Sequence, residues 1–209
     1  MFFGKSRSGK SLLLVGLAEA GKTTIFSRLT LGKFVPTVTS MKQNNAEYPA
    51  KKRTLEIVDL PGHDRLRSKY WEDYKSNATG IVFVVDSQSF LSNVRDVADF
   101  LYTVLADPVV NKRRVPVLIA CNKQDEAKAK SAKVIQNQLE KEINTIRATR
   151  LAALESTDGS SSDTVIIGNH ERDFQYSDLR LSIEFVNCSA SDDDIGQGLK
   201  DVVSWVDKL

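Results

Sequence analysis

The sequence predicts an α/β fold, a six-stranded and mostly parallel sheet flanked by helices. Short apolar runs alternate with amphipathic segments, a glycine-rich turn joins the first apolar run to the first helix, and polar turns follow two later apolar runs directly. In chain order, strands are expected at 11–15, 46–50, 54–58, 80–85, 115–121 and 182–188. The second of these contains Pro49, which cannot donate to a ladder and therefore belongs at a sheet edge. Ile25, Phe26 and Leu29 mark the first helix. Val94, Val97, Ala98, Leu101, Val104 and Leu105 recur at helical spacing, as do Ile135, Leu139, Ile143 and Ile146 in a long helix over about 127–153. Leu199, Val202, Val203, Val206 and Leu209 repeat the pattern near the end of the sequence. Between the last two helices, the run from Glu155 to Asp163 is made of turn formers and is too polar to bury, so a flexible insertion is expected at about 155–173. Residues 11–209 then form one domain, preceded by a basic juxtamembrane or linker segment at 1–10.

Composition excludes several functions. The 29 Lys and Arg against 27 Asp and Glu leave a net charge of only +2, so no global field attracts nucleic acid, and no direct nucleic-acid binding is predicted. Two cysteines and two histidines give neither a disulfide framework nor zinc-ligand spacing. The most apolar stretches, 12–17 and 81–85, fall far short of the ~20 residues that cross a bilayer.

The chemistry lies in the turns. Gly16-Leu17-Ala18-Glu19-Ala20-Gly21-Lys22-Thr23, followed by Thr24, fits G-x-x-x-x-G-K-[ST] between a strand and a helix. Glycines permit successive backbone N–H groups, among them those of Glu19, Ala20 and Gly21, to converge on phosphate oxygens at a helix N-terminus. Lys22 reaches β- and γ-phosphates, and the Thr23 hydroxyl is a hard oxygen suited to Mg²⁺. An ordinary glycine-rich turn would not require the flanking strand, Lys and Thr together.

Asp59-Leu60-Pro61-Gly62 follows the apolar strand Leu55-Glu56-Ile57-Val58, which puts a carboxylate for the metal shell and a Gly62 N–H for the γ-phosphate where α/β ligand sites lie. Asn122-Lys123-Gln124-Asp125 follows another buried run. A fixed Asp125 carboxylate can accept the N1 and N2 donors of guanine and repels adenine, which argues for GTP over ATP. Asn122 would brace neighbouring loops and the Lys123 stem would cover the purine face. Ser189 and Ala190 end the last strand, where the Ala190 N–H can approach the guanine carbonyl. Cys121 and Cys188, at equivalent strand ends, read as buried structural thiols.

In this order and spacing the four motifs resemble those of the Ras-like small GTPases, a P-loop NTPase fold. The stretches Asp59-Leu60-Pro61-Gly62-His63, Val82-Phe83-Val84-Val85-Asp86-Ser87, Ile119-Ala120-Cys121-Asn122-Lys123-Gln124-Asp125 and Ser131-Ala132-Lys133-Val134-Ile135-Gln136 narrow the resemblance to the signal recognition particle receptor β subunits. The resemblance implies binding of GTP/GDP and Mg²⁺, and GTP-dependent capture of the receptor α subunit. It further implies location at the cytosolic face of the endoplasmic reticulum membrane through an N-terminal anchor absent from these residues, with ribosome or translocon as further partners. Lys5, Arg7 and Lys10 would flank that anchor. Thr37 or Thr39 would complete the Mg²⁺ shell, Thr37 being favoured because Pro36-Thr37 resembles a pair in Arf-like proteins. His63 stands where most relatives place the glutamine that orients attacking water, so hydrolysis is expected to be slow or partner-stimulated. An Arf/Sar-type coat GTPase is the alternative, disfavoured by a basic opening rather than an amphipathic helix.

Overall fold

The computed structural model describes residues 11–33, 35, 40–156, 166–169, 172–191 and 195–209. Six strands, β1 (Ser11–Val15), β2 (Asn44–Pro49), β3 (Thr54–Asp59), β4 (Ala78–Asp86), β5 (Val117–Asn122) and β6 (Ile183–Asn187), form one sheet in the order β2-β3-β1-β4-β5-β6. All neighbours pair in parallel except the β2–β3 hairpin, whose register places Asn44 opposite Asp59 and Pro49 opposite Thr54. Pro49 thus lies on the edge strand, where its missing N–H faces no partner. Between β3 and β4 the strand order reverses about β1, and the crevice above such a point is where open α/β sheets bind ligands.

Alternation along the strands divides the core in two. Leu13, Val58, Phe83 and Ile119 face one side, covered by α3 (Phe90–Ala106) and α5 (Ala132–Ser156) through Leu101, Leu105, Ile135, Leu139 and Ile143. Leu12, Leu14, Ile57, Val82 and Leu118 face the other, covered by α1 (Lys22–Leu31) and by α7 (Lys200–Val206) through Ile25, Val202, Trp205 and Val206. The short α6 (Ile195–Gly198) precedes α7, and Leu199 caps α7 rather than continuing one long helix.

Two helices lack a periodic sequence signal. The first, α2 (Asp64–Tyr74), is strongly polar and buries only Trp71 among its side chains. The second, α4 (Pro108–Arg113), is announced by its start instead: Asp107 is the N-cap and Pro108 occupies the first turn. The long helix starts at Ala132, five residues later than the apolar spacing suggests, because the preceding turn is locked in place. Lys130 donates its N–H to Ser87 O, the Gln124 amide donates to Lys130 O at 2.9 Å, and Ala132 N donates to Asn187 Oδ1. The helix continues to Ser156, into the first residues of the expected insertion; 157–165, its polar centre, lies outside the described residues, as does 1–10.

Asp107 joins three elements. Its Oδ1 accepts from Val109 N at 2.8 Å and Val110 N at 3.2 Å, while Oδ2 lies 2.8 Å from Lys75 Nζ in the turn after α2. Asp107→Ala removes both the cap and the cation's partner and should lower unfolding free energy by about 2 kcal/mol in urea titration. Asp107→Asn keeps a cap acceptor and should cost clearly less.

Candidate functional site

The loop from Gly16 to Gly21 is forced into its path by close approaches. A Cβ on Gly16, whose φ is +139°, would lie 2.3 Å from Val84 O, and one on Gly21, at φ +92°, would lie 2.2 Å from the Asn122 amide nitrogen. Glu19 itself adopts a left-handed φ of 62°. The loop feeds directly into α1, so the helix N-terminus opens onto the same space. Ala18, Glu19, Gly21, Lys22, Thr23, Thr24, Ser40, Leu60, Gly62 and Lys123 line a cleft there of about 520 Å³.

Two buried charges meet at this cleft, Lys22 in its lining and Asp59 behind Thr23. Lys22 Nζ donates to Leu17 O at 2.6 Å, and burial brings its pKa down to about 8 even though Asp59 opposes the shift. Asp59 is fully buried, and burial raises its carboxyl above the ordinary value despite hydrogen bonds to Oδ2 from Thr23 Oγ1 at 2.7 Å and Asn44 Nδ2 at 3.0 Å. Its Oδ1 has no hydrogen-bond partner among the described residues. A buried ammonium held by one carbonyl fits a phosphate, and a spare carboxylate oxygen beside a Thr hydroxyl fits a divalent cation with hard oxygen ligands. Ser40 Oγ, 3.1 Å from Thr23 Oγ1, and Asn44 extend this polar network. Neither residue stands out in the sequence. Pairing of Asn44 with Asp59 across the hairpin is what reveals it. Thr37 and Thr39 lie outside the described residues.

At the other end of the cleft, the Asn122 side chain joins two loops: Nδ2 donates to Ala20 O at 2.9 Å and Oδ1 accepts the Ala190 N–H at 3.0 Å. That N–H, offered by the sequence reading to guanine, is engaged by Asn122 here. Lys123 takes a left-handed φ of 66° and pairs with Asp86 at 2.7 Å, which fixes the stem. The Asp125 carboxylate accepts the Ser189 hydroxyl at 2.5 Å and the Ser191 hydroxyl at 2.7 Å. Burial pushes this carboxyl up, but the two hydroxyls, a backbone hydrogen bond and the Lys123 charge together make the net displacement downward. Ser191 was not among the expected residues; it follows the Ser189-Ala190 turn by one position.

Gly62 packs against the loop so tightly that a Cβ would meet Lys22 Nζ and Leu17 C at 2.5 Å. Next to it, His63 caps α2, its Nδ1 accepting from Arg65 N at 3.4 Å, and it is exposed at the mouth of a second hollow of about 300 Å³ floored by Leu17, Val85, Phe90 and Val97. Arg65 faces solvent, whereas Arg67 turns inward, its guanidinium 4.5 Å above the Phe100 ring and 2.9 Å from Asp64. Cys121 and Cys188 are buried, and burial pushes the Cys121 thiol up to about 12 and that of Cys188 higher still.

A family model described as signal recognition particle receptor beta subunit matches residues 7–183. The chain belongs to that family. The human signal recognition particle receptor subunit beta is 46% identical over 208 residues, covering 97% of this chain and 77% of the human protein. Among solved structures, the mammalian signal recognition particle receptor aligns at a TM-score of 0.83 with 43% identity, over 95% of this chain and 98% of that one. A receptor SRb-GTP/SRX complex from Chaetomium thermophilum, 24% identical, shares the fold at a TM-score of 0.71 over 95% of this chain and 97% of its own. As a β subunit of this family, the chain has the six-stranded Ras-like sheet, with the cleft at the C-terminal ends of β1, β3 and β5.

Burial disfavours the ionised form of Asp59 more than its neighbours restore it, so Asp59→Asn should raise the melting temperature of ligand-free protein by a few degrees, about 1 kcal/mol. The sign follows from linkage. With the folded carboxyl raised, the native state holds more protons between the unfolded and folded values, so wild-type stability falls as pH climbs through that window. The Asn variant should lack that part of the slope, read by calorimetry from pH 4 to 7.

Proposed function

We propose that the chain is the GTP-binding switch subunit of a signal recognition particle receptor, capturing the receptor α subunit in its GTP state during co-translational targeting to the endoplasmic reticulum. The observation that carries this reading is the opposed pair of buried charges at one cleft: among the described residues Lys22 has a single carbonyl partner and Asp59 a spare oxygen. Backbone N–H groups of the Glu19–Gly21 turn and the Lys22 ammonium would hold the phosphates, while Thr23 and Asp59 would hold Mg²⁺, with Thr37 the favoured further ligand. Mg²⁺, when bound, neutralises phosphate charge. Asp125, kept ionised and oriented by Ser189 and Ser191, would accept from guanine N1 and N2. Asn122 keeps the base and phosphate ends of the cleft in register, and the Lys123 stem is placed beside them.

The SRb-GTP/SRX complex from Chaetomium thermophilum supports the idea that partner binding follows nucleotide state. In this reading the chain works at the cytosolic face of the endoplasmic reticulum membrane through an N-terminal anchor, with the ribosome or translocon nearby. No helix among the described residues is long and apolar enough to cross a membrane.

Hydrolysis is expected to be slow. His63 is an exposed helix cap whose Nδ1 accepts a backbone N–H, and Arg67 is held over Phe100. Neither is arranged to supply the ~10³ to 10⁵ that an arginine brought by a partner contributes in related chemistry.

Titration with GTP, GDP and ATP in Mg²⁺ tests the reading; equal affinity for ATP would overturn it. Asp125→Asn should weaken guanine nucleotides by at least about tenfold and favour xanthine nucleotides, because an acceptor becomes a donor. In single-turnover assays, His63→Ala should change intrinsic hydrolysis by less than about threefold and reduce only the rate stimulated by a partner.

A further inference from the structure

We propose that the end of the sheet opposite the cleft is a docking face for membranes that carry anionic headgroups. Five strands run parallel, so their first residues gather at one end and the cleft sits at the other. Three separate segments meet at the first-residue end: the β2–β3 hairpin turn with Lys51, Lys52 and Arg53, the last turn and C-cap of α4 with Lys112, Arg113 and Arg114, and the stretch after α7 with Lys208. They are tied to the foot of β4 and to one another. Arg53 Nη2 donates to Thr79 Oγ1 at 2.7 Å, Arg113 donates to Ser76 O, Lys52 donates to Lys208 O, and Lys51 pairs with Asp207 at 3.4 Å.

The charge at this end is unbalanced. Asp207 is taken by Lys51, and Glu72 and Asp107 are both taken by Lys75. Asp73, Glu47 and Glu56, with the surplus carboxylate at Lys75, are left to oppose six exposed cations, Lys52, Arg53, Lys112, Arg113, Arg114 and Lys208, which have no carboxylate partner among the described residues. In a chain with a net charge of only +2, this is a local excess that the total conceals. Ser11 opens β1 at the same end, so residues 1–10, with Lys5, Arg7, Lys10 and no acid, join the fold there.

An anionic lamella is the partner that suits this arrangement. It asks for no fixed geometry and adds attraction from each cation within a Debye length. The three folded segments present no aromatic side chain on which an unpaired base would stack. The headgroup chemistry is phosphate or carboxylate on a surface, not a single soluble ion. In this orientation the nucleotide cleft faces away from the bilayer, open to the cytosol. The face is separate from the nucleotide site, so either proposal can fail without the other.

Flotation of the full chain with phosphatidylcholine vesicles, with and without phosphatidylserine, tests this. Binding should require phosphatidylserine and be lost between ~0.1 M and ~0.5 M salt. Lys52→Glu with Arg53→Glu, and separately Lys112→Glu with Arg114→Glu, should each weaken it by at least about tenfold. Lys133→Glu with Lys141→Glu on the exposed side of α5 should not, and circular dichroism and retained GDP binding should show that each variant is folded. Three results would overturn the proposal: equal binding to phosphatidylcholine alone, loss of binding only when Lys5, Arg7 and Lys10 are changed to Gln, or duplex RNA binding that depends on the same folded-face cations without vesicle binding.

Discussion

The arrangement of the whole cleft depends on one buried amide. Asn122 is only 2% exposed, donates to the phosphate-loop carbonyl of Ala20 and accepts the N–H of Ala190 in the turn after β6. Those two loops are far apart in sequence and come from strands on opposite sides of β4. Removing the amide would leave a buried carbonyl and a buried N–H without partners, each costing about 1 to 3 kcal/mol, and would loosen both ends of the cleft together. Gly21 is glycine for the same reason: any side chain there would occupy the space of the amide.

The cleft stores electrostatic cost so that binding can release it. Lys22 and Asp59 are both taken out of water, and each has its charged form disfavoured by burial more than its neighbours restore it. A ligand that brings an anion to one and a cation to the other relieves both. Thr23 and Asn44 limit the cost by orienting Asp59, and because Asn44 sits on the edge hairpin, the position of β2 is coupled to the carboxylate through a 3.0 Å contact. Gly62, packed on the phosphate loop and on Lys22, connects the start of α2 to the same group. The edge hairpin and the start of α2 are therefore both in contact with its charges.

Much of this was legible in the sequence because backbone geometry left marks in residue type. The glycines at 16, 21 and 62, the strand runs ending in Asp59 and Asn122, and the edge Pro49 each follow from a steric or hydrogen-bonding rule that a single chain displays. The roles of Ser40, Asn44 and Ser191 were not legible, since short polar residues in turns look alike until pairing brings them to a carboxylate. Nor was α2, whose polar surface hides the one anchor, Trp71, that holds it to the core. The long helix was placed five residues early because apolar spacing cannot register a turn held by Gln124 and Asn187. The cationic end is not legible for a related reason, as its three segments are distant in sequence and a net charge averages over them.

The two cysteines carry a consequence for the setting in which the protein works. Disulfide exchange and oxidation proceed through thiolate, and burial keeps both thiols protonated at any physiological pH. They lie at the ends of β5 and β6, next to the loops that Asn122 joins, with Cys188 Sγ 3.9 Å from its Oδ1. A reactive thiol there would let glutathione or peroxide reset the cleft. Because burial disfavours the thiolate at both sulfurs, the conformation of these loops is insulated from the redox poise around the protein.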